Sequence, residues 1–168
     1  MTWVAILMGS ESDWPVMAAA AETLDMLGVR HEVRITSAHR TPAQTAEYVT
    51  SAEARGCRVF ICGAGLAAHL AGAVAAHTIR PVIGVPIDSG PLQGFDALLS
   101  TVQMPGGIPV AGVAVGKSGA KNAGYLAAQM LGIEDERLVD ALRADRQAQV
   151  NRIEEQNARL EQQRAGKG

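Results

Sequence analysis

In the stretch ITSAHRTPAQT, residues 35–45, a serine, a histidine and an arginine fall together between an apolar segment and a run of helix formers. Ser37 can donate a hydroxyl hydrogen bond, and Arg40 offers a planar fork of donors that matches phosphate. His39 carries the side-chain type whose ordinary pKa lies near neutrality, so it suits proton transfer. Only four histidines occur in the chain. The residues themselves leave two readings open, a ligand-binding turn or a solvated loop.

A second set lies in GSESDW. Gly9, Ser10, Ser12 and Asp13 supply backbone N–H groups, two hydroxyls and a carboxylate at the expected start of a helix. The N–H groups and hydroxyls fit phosphate, whereas Asp13 would repel it and fits ribose hydroxyls instead. An ordinary helix cap explains the same residues. In GAGLAAHLAG, Gly63, Ala64 and Gly65 permit close backbone approach, and His69 can orient a ligand or cap the following helix. The string completes neither the P-loop nor the dinucleotide fingerprint.

The remaining candidates are weaker. The loop SGPLQGFDALLSTVQMPGGIPV can form a wall near a base-sized ligand, with Met104 as a soft apolar contact. Lys117 and Lys121 can attract an anion, although the small residues around them point to helix packing. His31 and His77 read as surface or structural histidines. Cys57 and Cys62 make no CxxC, and the histidines have no zinc-site spacing, so no metal is assigned.

These turns must be positioned by the elements between them. Residues 4–8 read as a buried strand, followed by a helix to about residue 27 with Met17, Ala21, Leu24 and Leu27 on one face. HEVRI is a second strand. Pro42 opens a second helix with Ala46, Val49 and Ala52 inward. RVFICGAG is a third strand, LAAHLAGAVAAHT a short helix, and PVIGVPI a fourth strand. A helix then includes residues 98–102, IPVAGVAVG is a fifth strand, and GAKNAGYLAAQML is a helix ending near Gly132. Several strands are unbroken apolar runs, the pattern of a parallel sheet covered on both faces. Five such units make a three-layer, doubly wound α/β domain. Its ligand crevice lies beyond the carboxyl ends of the strands, which brings the turns after strands one to four together.

The chain divides into a catalytic α/β domain at 1–133 and a polar helical extension with a frayed tail at 134–168. Val139, Ile153 and Leu160 keep a heptad phase there, with Arg146 in the intervening place. With 168 residues, 48% apolar and 19% charged, the chain can bury one core. A net charge of -2 argues against nucleic-acid binding. No apolar run suits a membrane span, the opening MTWVAILMGS lacks a signal peptide's layout, and the expected location is cytoplasmic.

Taken in order, MGSESDW, SAHRTP, GAGLAAHLAG, VIGVP and LLSTVQMPGGIPVAGVAVGKSGAKNAGYLAAQML resemble the class I PurE family, the N5-carboxyaminoimidazole ribonucleotide mutases of purine biosynthesis. The resemblance covers residues 4–131. It implies a flavodoxin-like fold, a homo-octamer, aminoimidazole ribonucleotide substrates and a site with no cofactor. It places Ser10, Ser12 and Asp13 in the nucleotide-binding loop, Ser37 and Arg40 around phosphate, and His39 as general acid/base. Gly63 to Gly65 and His69 match the turn enclosing the reacting end. Two positions depart from the family pattern: Ala71 stands where HLPG has proline, and Gly112 follows Ala111 where PVAT or PVGT is common. The short chain and class I pattern favour the mutase over direct carboxylation of aminoimidazole ribonucleotide by CO2. A nucleotide-binding module without turnover is the remaining reading.

Overall fold

The computed structural model describes residues 2–166. Five strands form one parallel sheet: β1 (Trp3–Met8), β2 (His31–Ile35), β3 (Cys57–Gly65), β4 (Val82–Ile87) and β5 (Ala111–Gly112). Their spatial order is β2-β1-β3-β4-β5. The chain therefore builds outward from β1 to β2, then reverses and builds outward through β3, β4 and β5. This is the flavodoxin-like order, with its reversal between β1 and β3. All five parallel units of the expected α/β fold are present.

Alternation along β1 explains the three layers. Val4, Ile6 and Met8 face one core, with Met17, Ala20 and Leu24 of α1 (Trp14–Met26) and Ala120, Ala123 and Ala127 of α5 (Gly116–Gly132). Trp3, Ala5 and Leu7 face the other, with Tyr48, Val49 and Ala52 of α2 (Pro42–Ala54) and Leu70 and Val74 of α3 (Leu70–Ala75). Every β1 residue is buried, so a strand with no polar face is what this position requires. At the sheet edge, by contrast, Val33 and Ile35 of β2 stay exposed. Far from the strand ends used by the candidate site, Arg55 grips Glu32 at 2.7 and 2.9 Å and lies over the Trp3 ring.

Small residues set the spacing between α1 and α5. A methyl group at Gly124 would meet Thr23 Cβ at 2.8 Å and the Ala20 carbonyl oxygen at 3.0 Å. Gly84 of β4 likewise leaves room for Thr101, Val110 and Ala71. Ala71, in the family's proline position, is buried in the first turn of α3 at this contact.

Three elements differ from expectation. The helix read over LAAHLAGAVAAHT is confined to Leu70–Ala75, because Leu66 has φ 54° and the chain only turns into helix after His69. The fifth strand shrinks to Ala111–Gly112: the Val113 N–H still donates to the Gly84 carbonyl at 3.2 Å, but Ile108, Val110, Val113 and Val115 are exposed or half-buried, so the stretch is not a covered strand. The fourth helix holds residues 98–102 as expected: α4 spans Phe95–Val102 and starts from left-handed Gly94. Of the apolar face expected on α2, Val49 and Ala52 are buried, while Ala46 is only half-buried and Thr45 and Tyr48 take its place.

The polar extension is one helix, α6 (Glu136–Ala165), capped by Asp135 accepting from the Arg137 N–H at 3.1 Å. No glycine or proline interrupts it, and Ala, Glu, Gln and Arg all favour helix. Leu138 is buried and Val139 and Leu142 half-buried against the domain, but Ile153 and Leu160 are exposed.

Gly124→Ala tests the α1–α5 spacing. Alanine raises intrinsic helix propensity by about 1 kcal/mol, whereas the forced separation costs about 1–3 kcal/mol. Thermal denaturation should show a lower Tm for the variant; a higher one would mean that the helices part freely.

Candidate functional site

The carboxyl ends of β1 and β2 lie level with each other, and those of β3 and β4 lie level with each other two residues further on. Met8 pairs with Ile35 on one side and with Gly63 on the other, and Gly65 pairs with Ile87. The turns leaving these strands therefore meet above the same edge. Between them opens a cavity of about 600 Å³, lined by Gly9, Ser10, Ser12 and Asp13 after β1 and by Ser37 to Arg40 after β2. Ala64, Gly65, Leu66, Ala67, His69 and Leu70 line it from β3 and α3, and Ser89 from beyond β4.

The turn after β2 is built from its hydroxyls. Thr36 N–H donates to the Met8 carbonyl at 2.8 Å, continuing the sheet one residue past β2. The Thr45 hydroxyl gives its proton to the Thr41 carbonyl at 2.9 Å, so Thr36 is the donor in their 2.6 Å contact. Both threonines are buried. Thr41 in turn accepts from the Ser37 N–H at 2.9 Å and donates to the Ser37 carbonyl at 3.1 Å. The loop carrying His39 is thus fixed from below by α2 while His39 itself remains exposed.

Ser37 then orients Arg40. Its Oγ accepts from the Arg40 backbone N–H at 3.1 Å and from Nε at 3.4 Å, and Arg40 Nη2 donates to the Gly9 carbonyl at 2.9 Å. The guanidinium bridges the first two turns and still has donors left for an anion. On the β1 side, Ser10 caps the short 3-10 turn Glu11–Asp13: its Oγ accepts from the Ser12 N–H at 3.3 Å and from the Ser12 hydroxyl at 3.0 Å. Asp13 stands at the start of α1 but makes no side-chain cap there, contrary to the capping alternative. Partial burial pushes its carboxyl above the ordinary carboxylate value, against the pull of the Ser10 and Gly9 backbone N–H groups and of the Arg40 charge.

Across the cavity, His69 occupies the position before α3, and its ring stacks on His39 with centroids 5.4 Å apart and planes 29° from parallel. Residues thirty positions apart in sequence thus form one imidazole pair. Of the residues singled out from sequence, Met104, Lys117 and Lys121 do not line the cavity, and neither does Gly63. It is buried, and a methyl group there would collide with the Met17 side chain, so this glycine serves the contact of α1 with the sheet. His31 lies away from the site at the start of β2, near Asp25, and His77 is exposed beyond α3. The Cys57 thiol is pushed up to about 11 by burial, and burial raises Cys62 further, so neither is a ready nucleophile.

Sequence reasoning did not name Ser89 or Leu66 singly, although Ser89 opens the SGPLQG loop read as a wall of the site. Ser89 Oγ fills the space that a side chain on Gly65 would need. Its position after β4 obeys the same strand-end rule that selected the other turns, and that was the available signal. Leu66 lay inside a quoted motif, but nothing in its residue type suggested a left-handed backbone.

Residues 3–152 match the family model described as AIR carboxylase. The chain is 53% identical over 150 residues to the N5-carboxyaminoimidazole ribonucleotide mutase of Vibrio parahaemolyticus serotype O3:K6 (strain RIMD 2210633), covering 89% of this chain and 93% of that protein. It is 50% identical over 162 residues to the enzyme of the same name from Thermotoga maritima, covering 96% and 94%. Among solved structures, Treponema denticola PurE superposes with a TM-score of 0.86 at 30% identity, over 95% of this chain and 99% of that one.

The raised value at Asp13 predicts a cost of keeping its charge. Because the folded pKa lies above the unfolded one, the destabilisation is full above the folded value and vanishes below the unfolded value, about 3.9. Asp13→Asn should therefore raise Tm at pH 7, with the advantage shrinking as pH falls through the acid range. Paired melts from pH 3 to 8 check this; a constant offset would detach it from ionisation.

Proposed function

This chain belongs to the AIR carboxylase family and to its class I PurE branch, and from that premise we propose how its cavity converts N5-carboxyaminoimidazole ribonucleotide to 4-carboxy-5-aminoimidazole ribonucleotide in purine biosynthesis. The observation that carries the proposal is the placement of His39. Its ring lies between an anion-binding set, Ser37 and Arg40, and the turn of Ala64 to His69.

Arg40 and Ser37 take the phosphate, while Ser10, Ser12 and Asp13 take the rest of the nucleotide. Asp13, an acceptor, suits ribose hydroxyls. With one end of the substrate held, the carboxylated exocyclic nitrogen lies toward His39 and His69. Protonated His39 gives its proton to that nitrogen as the N–C bond breaks, leaving CO2 and neutral aminoimidazole ribonucleotide. The electron-rich C4 then attacks the carbon of CO2 and forms the C–C bond. His39, now neutral, removes the C4 proton and returns to its starting state. Atoms and electrons balance without a co-reactant. His69, stacked on His39, holds the orientation of the ring that must serve both steps.

A cytoplasmic location belongs to the same proposal, supported by two buried cysteines that are free among the described residues. So does a homo-octamer. Support for self-association comes from α4 and its approach, where Leu92, Phe95, Leu99 and Val102 are exposed together, an unusual apolar grouping for a lone chain.

His39→Asn should lower conversion of the N5-carboxylated substrate in both directions by about 10²–10⁴-fold, with the fold intact by circular dichroism. Near-normal turnover would remove His39 from the mechanism. If the parent instead carboxylates aminoimidazole ribonucleotide under added CO2 and ignores the N5-carboxylated compound, the direct carboxylation reading replaces the mutase.

Light scattering should give the mass of an octamer of the 17.6 kDa chain, and Leu99→Asp should yield smaller species. A monomeric parent would refute the assembly.

A further inference from the structure

Among the described residues, Leu66 and Gln93 alone combine a side chain with a positive φ, and Leu66 has φ 54°. A branched side chain occupies this region only at a cost, whereas glycine enters it freely. Leu66 lies between Gly65 and the run leading to His69, lines the cavity and is half exposed. The position is therefore using the side chain despite the backbone it must adopt.

What that side chain touches is specific. Leu66 Cδ2 occupies the space where a side chain on Gly90 would begin, and Gly90 itself is left-handed at φ +83°. Ser89 Oγ occupies the corresponding space over Gly65. The two turns thus clasp each other reciprocally, Leu66 over Gly90 and Ser89 over Gly65. One wall of the cavity is formed by this clasp, in the same turn that carries His69 to its stack on His39.

We propose that Leu66 is a positioning residue of the transfer: its isobutyl group, braced on Gly90, closes the reacting end of the cavity and retains CO2 between its release and its recapture. This rests on the mutase reading. Between the two steps CO2 has no covalent link to the substrate and no net charge for Arg40 to grip. Its retention must come from shape and from exclusion of water, and both require an apolar wall. Leu66 supplies that wall on the turn next to the proton-transfer pair, and the clasp keeps the turn from swinging open.

The test uses substrate labelled with ¹³C in the transferred carboxyl group, in buffer holding excess unlabelled bicarbonate, with a protein-free blank subtracted. Parent, Leu66→Gly and Leu66→Asn are compared for label retained in product and for free aminoimidazole ribonucleotide released per turnover. Asparagine keeps a similar shape and tolerates the left-handed backbone but is polar, and it provides a second variant should the glycine form fold poorly. The parent should retain the label. Both variants should lose several-fold more label and release more free ribonucleotide, while their Tm stays level or rises because the strained backbone is relieved. A merely structural leucine would lower Tm without changing label retention. Variants that turn over and retain label like the parent overturn the role of Leu66 alone, as does a parent that exchanges its label freely. A parent that converts no substrate overturns the mutase reading and this one with it.

Discussion

Met8 is held between two neighbours at once, and the site depends on that. β1 is the strand from which the chain builds in both directions, so its end is registered against Ile35 of β2 and Gly63 of β3. The turns after β1 and β2 consequently leave the sheet at one level, and β3 carries its own turn two residues above them. Had β1 been an edge strand, the Ser10 turn and the Ser37 turn could not both border the loop after β3. The reversal of strand order opens a crevice, and the parallel sense ensures that every turn facing it begins a helix or approaches one.

Burial and polarity are divided along the same axis. Burial within the sheet pushes the Cys62 thiol up, and burial of Tyr48 on α2, with the Glu32 carboxylate beside it, pushes its hydroxyl up to about 12. Polar chemistry is confined to the strand ends, where hydroxyls do the structural work. Thr36, Thr45 and Thr41 anchor the second turn to its own helix, and Ser37 transmits that rigidity to Arg40. Arg40 then fastens the second turn to the first through the Gly9 carbonyl. His39 is exposed but not loosely placed.

Much of this was legible in the residues. Unbroken apolar runs announced β1, β3 and β4 because those strands are covered on both faces, and the strand-end rule gathered four turns without any contact being known. Legibility failed where local composition carries no period. IPVAGVAVG is as apolar as a buried strand, yet only Ala111–Gly112 pairs with β4. Gly63 looked like part of a ligand loop but faces Met17, since a glycine demanded by helix packing cannot be told from one demanded by a ligand. The His39–His69 stack and the Leu66 clasp arise from tertiary approach between distant turns, for which the chain offers no local sign. The resemblance to class I PurE located the residues of the proposed site; the distances among them came from the fold.

The helix α6 gives the molecule two kinds of stability. At about 1.5 Å per residue its thirty residues extend for about 45 Å, and every residue from 146 to 165 is exposed. The hydrogen bond from Tyr125 to Asp145, at 2.8 Å, lies just before this stretch. Beyond it come contacts within the helix itself, such as Gln147 with Asn151 and Arg159 with Glu155. The α/β body melts as a unit, because each layer is buried against another. The outer part of α6 in an isolated chain has only local cooperativity and can unwind without disturbing the cavity.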